Sequence, residues 1–390
     1  MRVSVVPLAG VVESVDYGIT ASAKTHRVGP RFLRITDIQD DAVDWNSVPF
    51  CEISPDEEEP AVLAAGDIVF ARTRATTGKS FLIRSCPERA VFASYLIRVR
   101  ADPDRVEPRY LAWFFRSPGY WRQIGLSTTG TAQPGVNASK LRSINVPHFP
   151  VAEQRRIADI LDKADAVRRK RREAIALTEE LLRSAFLEMF GDPVTNPMGW
   201  PVRPLGMLGE LDRGRSRHRP RDDPRLLNGP HPLIQTGEVA NCDGVISRYE
   251  RTYSEVGLMQ SKMWPAGTLC ITIAANIAKT GVLGFDACFP DSVVGFTPGE
   301  HVTTEYVQYW MSFLQPILEK QAPQSAQKNI NLEILRNVTT PCPPLDRQRR
   351  FSALVHDTRE VRARLREAGG GAEALFDCLV ARAFSGGLVA

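Results

Sequence analysis

The chain has 390 residues, 43% of them apolar, and 49 basic against 45 acidic side chains. That is enough apolar material for two ordinary domain cores and excludes a disordered chain, while a net charge of +4 does not by itself demand a polyanionic partner. The seven cysteines include no close pair, which argues against zinc ribbons and disulfide scaffolds. No apolar run reaches membrane-spanning length and the start MRVSVVPLAG does not read as a signal peptide, so a cytoplasmic protein is expected.

In chain order, Pro7-Leu8 opens a segment that reaches a short strand over Phe32 to Thr36. The acidic run Asp56 to Glu59 reads as a solvated loop. AAGDIVFARTRATTGKSFLI, from Ala64, reads as strand, polar loop and strand, and further strand follows around Ala93 to Val99. EPRYLAWFFRSPGYWRQI is helical with an interruption at Pro118. From Val151 to Phe190 there is neither Pro nor Gly in 40 residues, and Ile157, Ile160, Ala164 and Val167 recur at helical spacing. This predicts one helix of roughly 60 Å, stopped by Asp192-Pro193.

The same plan then returns. An offset of 194 aligns Gln133 with Gln327, Leu141 with Leu335, Pro147 with Pro341 and Gln154-Arg155-Arg156 with Gln348-Arg349-Arg350, and it runs on without a gap to place Val167 on Val361 and Phe190 on Phe384. Pro204-Leu205, a strand over Leu233 to Thr236, PAGTLCITIAANIAKTGVLGF and TTEYVQYWMSFLQPILEK, with Pro316, repeat the earlier elements. The predicted architecture is α+β: two similar mixed α/β domains (1–150 and 193–344), each followed by a long helix (151–192 and 345–390). The helices are expected to pair as an antiparallel coiled coil with a seam of Ile157, Ile160, Ala164 and Val167 against Phe351, Leu354, Val361 and Leu365. Gly369-Gly370-Gly371 predicts a break or bend in the second helix, which leaves Ile157 to Arg172 and Phe351 to Arg366 as the regular part.

Catalytic motifs are missing. TTGKS at Thr76 to Ser80 ends like a phosphate-binding loop, but that pattern needs Gly where Thr73 stands, and FLI after Ser80 reads as strand. There is no G-x-G-x-x-G, H-E-x-x-H or G-x-S-x-G, and the six His have no ligand spacing, so neither a catalytic nor a metal site is predicted. Basic loops are present instead. Arg72, Arg74, Thr76 and Lys79 share one strand-to-strand loop, Lys279 lies in the equivalent loop, and LDRGRSRHRPRDDPR carries Arg213, Arg215, Arg217 and Arg219. Guanidinium, ammonium and hydroxyl groups in this pattern suit phosphates and base edges. Lys24, His26, Gln133, Gln327 and Lys328 complete the candidate DNA-binding set. Arg155 to Arg172 holds eight basic residues against three acidic ones, a face suited to DNA phosphates or an acidic partner.

INVPHFPVAEQRRIADILDKADAVRRKRREAIALTEELLRSAFLEMFGDP resembles the central conserved region of the specificity subunit of type I restriction-modification enzymes. TPCPPLDRQRRFSALV resembles the second such region, and TGTAQPGVN and APQSAQKNI resemble the family's preceding loops. The resemblance runs from Pro7 to Phe384, with departures at Asp346-Arg347 and the three glycines. It implies a non-catalytic subunit with two target recognition domains, each reading one half of a split, asymmetric DNA sequence. It further implies that the paired helices dock two adenine-methylating modification subunits and that a restriction and translocase subunit joins them. S-adenosylmethionine and ATP would belong to those partners, with no cofactor in this chain. The alternatives are a coiled-coil scaffold that reads no DNA and an enzyme with an unrecognised site.

Overall fold

A computed structural model describes residues 3–72, 76–128, 136–274, 276–321 and 330–388. Two compact units emerge, one of Met1–Arg172 with Glu367–Ala390, the other of Glu173–Arg366. Each contains one α/β module and part of both long helices.

The central helix runs Val151–Phe190. Gly191 takes a left-handed φ of +76° and donates its N–H to the Leu187 carbonyl, the usual way to end a helix, and Pro193 prevents resumption. The distal helix runs Leu345–Ser385 without interruption, so the expected break at Gly369-Gly370-Gly371 does not occur. Three glycines lower intrinsic helicity by roughly 1 kcal/mol each against Ala, but flanking turns anchored by Phe351 and Val355 on one side and Phe376, Val380 and Ala383 on the other outweigh that cost.

In the first unit, strand Leu96–Ala101 lies between Val12–Tyr17 and Ile68–Ala71, and Ser80–Leu82 completes a four-stranded antiparallel sheet. Its inward face packs Val15, Ile68, Phe70, Ile97 and Val99 on helix Pro108–Phe114 and on the central helix. A parallel pair, Arg31–Leu33 with Ala90–Phe92, forms the second layer. The opening strand Ser4–Pro7 pairs antiparallel with Asn145–His148, just before the helix, and so closes the module.

The second unit repeats this. Gly209–Arg213, Val293–Pro298, Leu269–Thr272 and Thr280–Leu283 adjoin in that order, extended by Val245–Ile246 in parallel. Leu227–Leu233 runs parallel to Ala287–Cys288 in the second layer, and Val202–Pro204 closes against Thr339–Pro341. Several local expectations need correction. Thr36 and Thr236 are not strand ends but lie in helical turns Ile35–Asp37 and Thr236–Asn241. Pro55–Ala61 is a short helix, not a loop: Pro55 suits its first turn, acidic residues favour its N-terminus, and Glu58 and Glu59 pair with Arg89. Pro118 starts a new helix, Pro118–Thr128, whereas Pro316 sits inside a continuous Thr304–Gln321.

The long helices run antiparallel within each unit. In the first, Arg168 and Arg172 both reach Glu373; in the second, Arg362 reaches Thr178 and Glu179. Arg168 and Arg362 are equivalent at the 194 offset, as are Glu373 and Glu179, so one ion pair occurs twice. Val151 to Arg172 therefore packs on the end of the distal helix, Ile157 sharing a core with Phe376 and Val380, while Phe351 packs on Leu182, Phe186 and Phe190. The predicted seam is corrected accordingly. Ile157 and Phe351 are buried; Ile160, Ala164, Leu354 and Leu365 are half-buried; Val167 and Val361 are each 48% exposed. Along the inward face Gln154, Ile157 and Leu161 are buried and Ala164 and Arg168 half-buried, in steps of three and four, so the charged Arg168, not its apolar neighbour Val167, turns inward. Arg168 tolerates this because Asp165 and Glu373 bond its guanidinium and it lies 4.2 Å over the Phe376 ring.

Candidate nucleic-acid interface

The sheet register gathers the candidate residues of each module at one sheet end. In the first unit Tyr17 stands opposite Ile97, Ala71 opposite Leu96, and Phe70 opposite Ser80, so the end of Val12–Tyr17 and the loop after Ala71 share an edge. Equivalent pairings in the second unit are Arg213 with Val294, Thr272 with Val293, and Ile271 with Thr280.

The loop is built alike in both copies. The Ala71 N–H bonds the Lys79 carbonyl at 2.9 Å, and the Thr272 N–H bonds the Lys279 carbonyl at 2.9 Å. Gly78 and Ala278 precede those lysines with φ of +81° and +57°, a turn Gly adopts freely and Ala at a cost. Both Lys79 and Lys279 are exposed, with no ion pair among the described residues. Gly18 and Gly214 follow the first strand, where backbone carbonyls of Phe92 and Phe289 stand 2.3 Å from any added Cβ, so no larger residue fits either place.

The remaining candidates fall into distinct environments. Arg72 is committed: its guanidinium donates to the Ser94 carbonyl at 2.8 Å and lies 4.7 Å over the Tyr17 ring. Thr76 is half-buried, and its carbonyl receives the Lys79 N–H. Lys24 and His26 are exposed; Lys24 exchanges backbone hydrogen bonds with Phe50, away from the loop in the pairing scheme. Arg213, Arg215 and Arg217 are exposed with no side-chain partner among the described residues, whereas Arg219 and Arg221 reach Asp291 and Arg225 reaches Asp223. Hydrogen bonds from the Arg225 side chain and backbone hold the Asp223 carboxyl well below the usual range. Arg74, Gln133, Gln327 and Lys328 lie outside the described residues.

Sequence reasoning missed the aromatics at the first module's sheet end. Tyr95 follows Ser94 in the turn that Arg72 grips, since the Arg72 N–H bonds the Tyr95 carbonyl at 3.1 Å. With Trp121, Thr36, Thr76 and Lys79 it borders an open cavity of about 830 Å³. Only the knowledge that Tyr17 and Tyr95 end neighbouring strands brings them together, and no local spacing carries it.

The basic run on the central helix is mostly neutralised within its own unit. Arg168 and Arg169 hold Asp165, Arg169 and Arg116 share Asp41, Arg172 meets Glu373, and Arg155 meets Glu107. Burial by itself raises the Asp165 carboxyl, and hydrogen bonds from Arg169 and Arg168 more than reverse this to leave it below its ordinary value. Among the described residues no group of three His, Cys, Asp or Glu is placed to hold a metal, and no helix is long and apolar enough to cross a membrane.

Two copies of an α/β module, each with an exposed lysine on a turn at one sheet end and no ion pair to it among the described residues, fit a two-module protein of the DNA-recognition class. The sequence matches the type I restriction modification DNA specificity domain over residues 50–177 and 197–359, and the chain belongs to that family. Its members are non-catalytic specificity subunits whose partner subunits carry the catalysis. A putative type I restriction enzyme MjaX specificity subunit of Methanocaldococcus jannaschii is 21% identical over 376 residues, covering 88% of this chain and 83% of the relative. The EcoKI specificity subunit of Escherichia coli is 27% identical over 194 residues, 47% of this chain and 42% of that one. The fold is shared with the type I restriction-modification S subunit of M. genitalium, at a TM-score of 0.63 and 11% identity, over 98% of this chain and 96% of the other.

Proposed function

We propose that each α/β module reads one half of a split, asymmetric DNA sequence through its sheet end, and that the long helices dock two adenine-methylating modification subunits. The observation that carries the first part is the repeated turn with Lys79 and Lys279 exposed, and without an ion pair among the described residues, at the same place in both modules. Unpaired cations on pinned backbone suit phosphates, because the ammonium gives up no internal partner on binding. Arg74, Gln133, Gln327 and Lys328 belong to the same reading by sequence, with Arg72 as the brace of its loop, and Lys24 and His26 are exposed side chains of the same module.

For the second part, the support is an apolar row that neither unit covers. Val167 and Leu375 in the first unit, and their counterparts Val361 and Leu181 in the second, are 48%, 58%, 48% and 53% exposed. Leu375 precedes the buried Phe376, and Val167 precedes Arg168, which is half-buried over the Phe376 ring. A helix pair that exposes the same apolar residues twice suits two copies of one helical partner. S-adenosylmethionine belongs to those partners and ATP to a restriction subunit, and the assembly acts in the cytoplasm.

The test compares the wild-type chain, assembled with its modification subunits, with a charge reversal at Lys79, Lys279, Arg215 and Arg217, all of them exposed. Loss of binding to duplex DNA with the assembly intact supports the reading. Unchanged DNA affinity would instead identify a scaffold, and methyl transfer by the isolated chain would identify an enzyme.

A further inference from the structure

The two sheet ends match in backbone but differ in chemistry. The Gly18 N–H bonds the Leu96 carbonyl as the Gly214 N–H bonds that of Val293, which puts Tyr17 and Arg213 at one equivalent place. The Ile19 N–H bonds the Phe92 carbonyl as the Arg215 N–H bonds that of Phe289, which equates Ile19 with Arg215. The Arg72 N–H bonds the Tyr95 carbonyl as the Ile273 N–H bonds that of Ser292, which equates Arg72 with Ile273 and Tyr95 with Ser292. The first module therefore has Tyr17 and Tyr95 exposed there, with Ile19 half-buried against the second-layer core and Arg72 engaged internally. At the same places the second presents two exposed guanidinium groups, with no side-chain partner among the described residues.

Those guanidinium groups stand on fixed backbone. Arg213 ends a paired strand, and both backbone groups of Arg215 are held, its N–H by Phe289 and its carbonyl by the Ser261 hydroxyl at 2.9 Å. Gln260 then accepts from the N–H groups of both Arg217 and His218, at 2.7 and 3.1 Å. A guanidinium is a planar fork of donors, and one carried on backbone fixed in this way can meet the paired N7 and O6 acceptors that guanine alone shows in the major groove. A phosphate would be served as well by Lys279 on its turn, and it needs no such fixed fork.

From this match, and resting on the DNA-reading function proposed above, we infer that Arg213 and Arg215 make the second module a guanine reader, a role the first module's aromatic end does not share. The half-site of the second module contains guanine, and each of the two arginines specifies one such base through N7 and O6.

The experiment uses the full chain with its modification subunits. Its preferred duplex is first selected from a randomised library, then every guanine is replaced in turn by 7-deazaguanine, which lacks the N7 acceptor. Wild type is expected to lose about tenfold in affinity at one or two guanines of one half-site, and R213K or R215K is expected to lose the sensitivity at one of them. The lysine variants keep the charge, so a phosphate contact survives them, whereas the planar two-donor fork is lost and with it most of the dependence on N7. K279A serves as the phosphate control: it lowers affinity for every duplex alike and leaves the ratio between guanine and 7-deazaguanine duplexes as in wild type. The inference is overturned if the selected half-sites contain no guanine, or if R213K and R215K keep the wild-type pattern. If the library yields no preferred sequence, the DNA-reading function itself fails and the inference falls with it.

Discussion

Gln154 and Gln348 allow the sharpest test of how each helix is tied to its module. Both are fully buried, and their networks are the same. Gln154 accepts the Glu107 N–H at 2.9 Å and donates to the Arg105 and Phe149 carbonyls at 3.1 and 2.7 Å. Gln348 accepts the Thr303 N–H at 2.9 Å and donates to the His301 and Pro343 carbonyls at 3.0 and 2.8 Å. Replacing either by Leu keeps most of the volume but takes the partner from three backbone groups, one of them in a fully buried hydrogen bond. At roughly 1 to 1.5 kcal/mol for each group, Gln154→Leu and Gln348→Leu should each cost about 3 to 5 kcal/mol. Because the chain has two units, a single unfolding midpoint would blur the effect, so hydrogen exchange at 105–107 and 147–149 should be compared with that at 301–303 and 341–343. Each variant is expected to loosen its own set by a factor of several hundred or more and leave the other set close to wild type. A change below tenfold in the affected set would refute the argument that these side chains anchor the helix starts.

Further outcomes follow from the geometry. Val167→Asp with Val361→Asp should leave hydrogen exchange of both cores unchanged while abolishing co-purification with modification subunits, since both positions are solvent-facing. Gly369→Ala, Gly370→Ala and Gly371→Ala meet open space at the added Cβ, so each should slow exchange in the distal helix by up to about 1 kcal/mol, measured amide by amide. Asp165 has a folded pKa below its ordinary value, so its stabilisation is present above about pH 4 and is lost as pH falls through the lowered value. The stability gap between wild type and Asp165→Asn, followed by denaturation at several pH values, should therefore close in acid rather than in base. Lys79→Ala and Lys279→Ala should each reduce the salt slope of DNA binding by about one unit.

The repeat was legible because it is written in sequence register: one offset carries Gln154 onto Gln348 and Arg168 onto Arg362. The long helices were legible for the same local reason, their lack of helix breakers. The seam was misplaced by one residue because apolarity favours Val167, whereas the fold turns Arg168 inward by supplying Asp165, Glu373 and the Phe376 ring from two helices. That supply is non-local and leaves no periodic mark. The candidate interface shows the same divide. Lys79 and Lys279 could be picked from their loops, but the commitment of Arg72 to Ser94 and Tyr17, and the neutralisation of Arg219, Arg221 and Arg225 by Asp291 and Asp223, depend on which strands become neighbours.

The central claim is that two separate modules each read half of one DNA sequence. It is tested most directly by exchanging residues 205–338 for the corresponding module of another family member and mapping methylated adenines genome-wide in a host that carries the chain and its modification subunits. The account expects a split methylated motif in which one half changes and the other stays as in wild type. A motif that changes in both halves, or does not change at all, would contradict it.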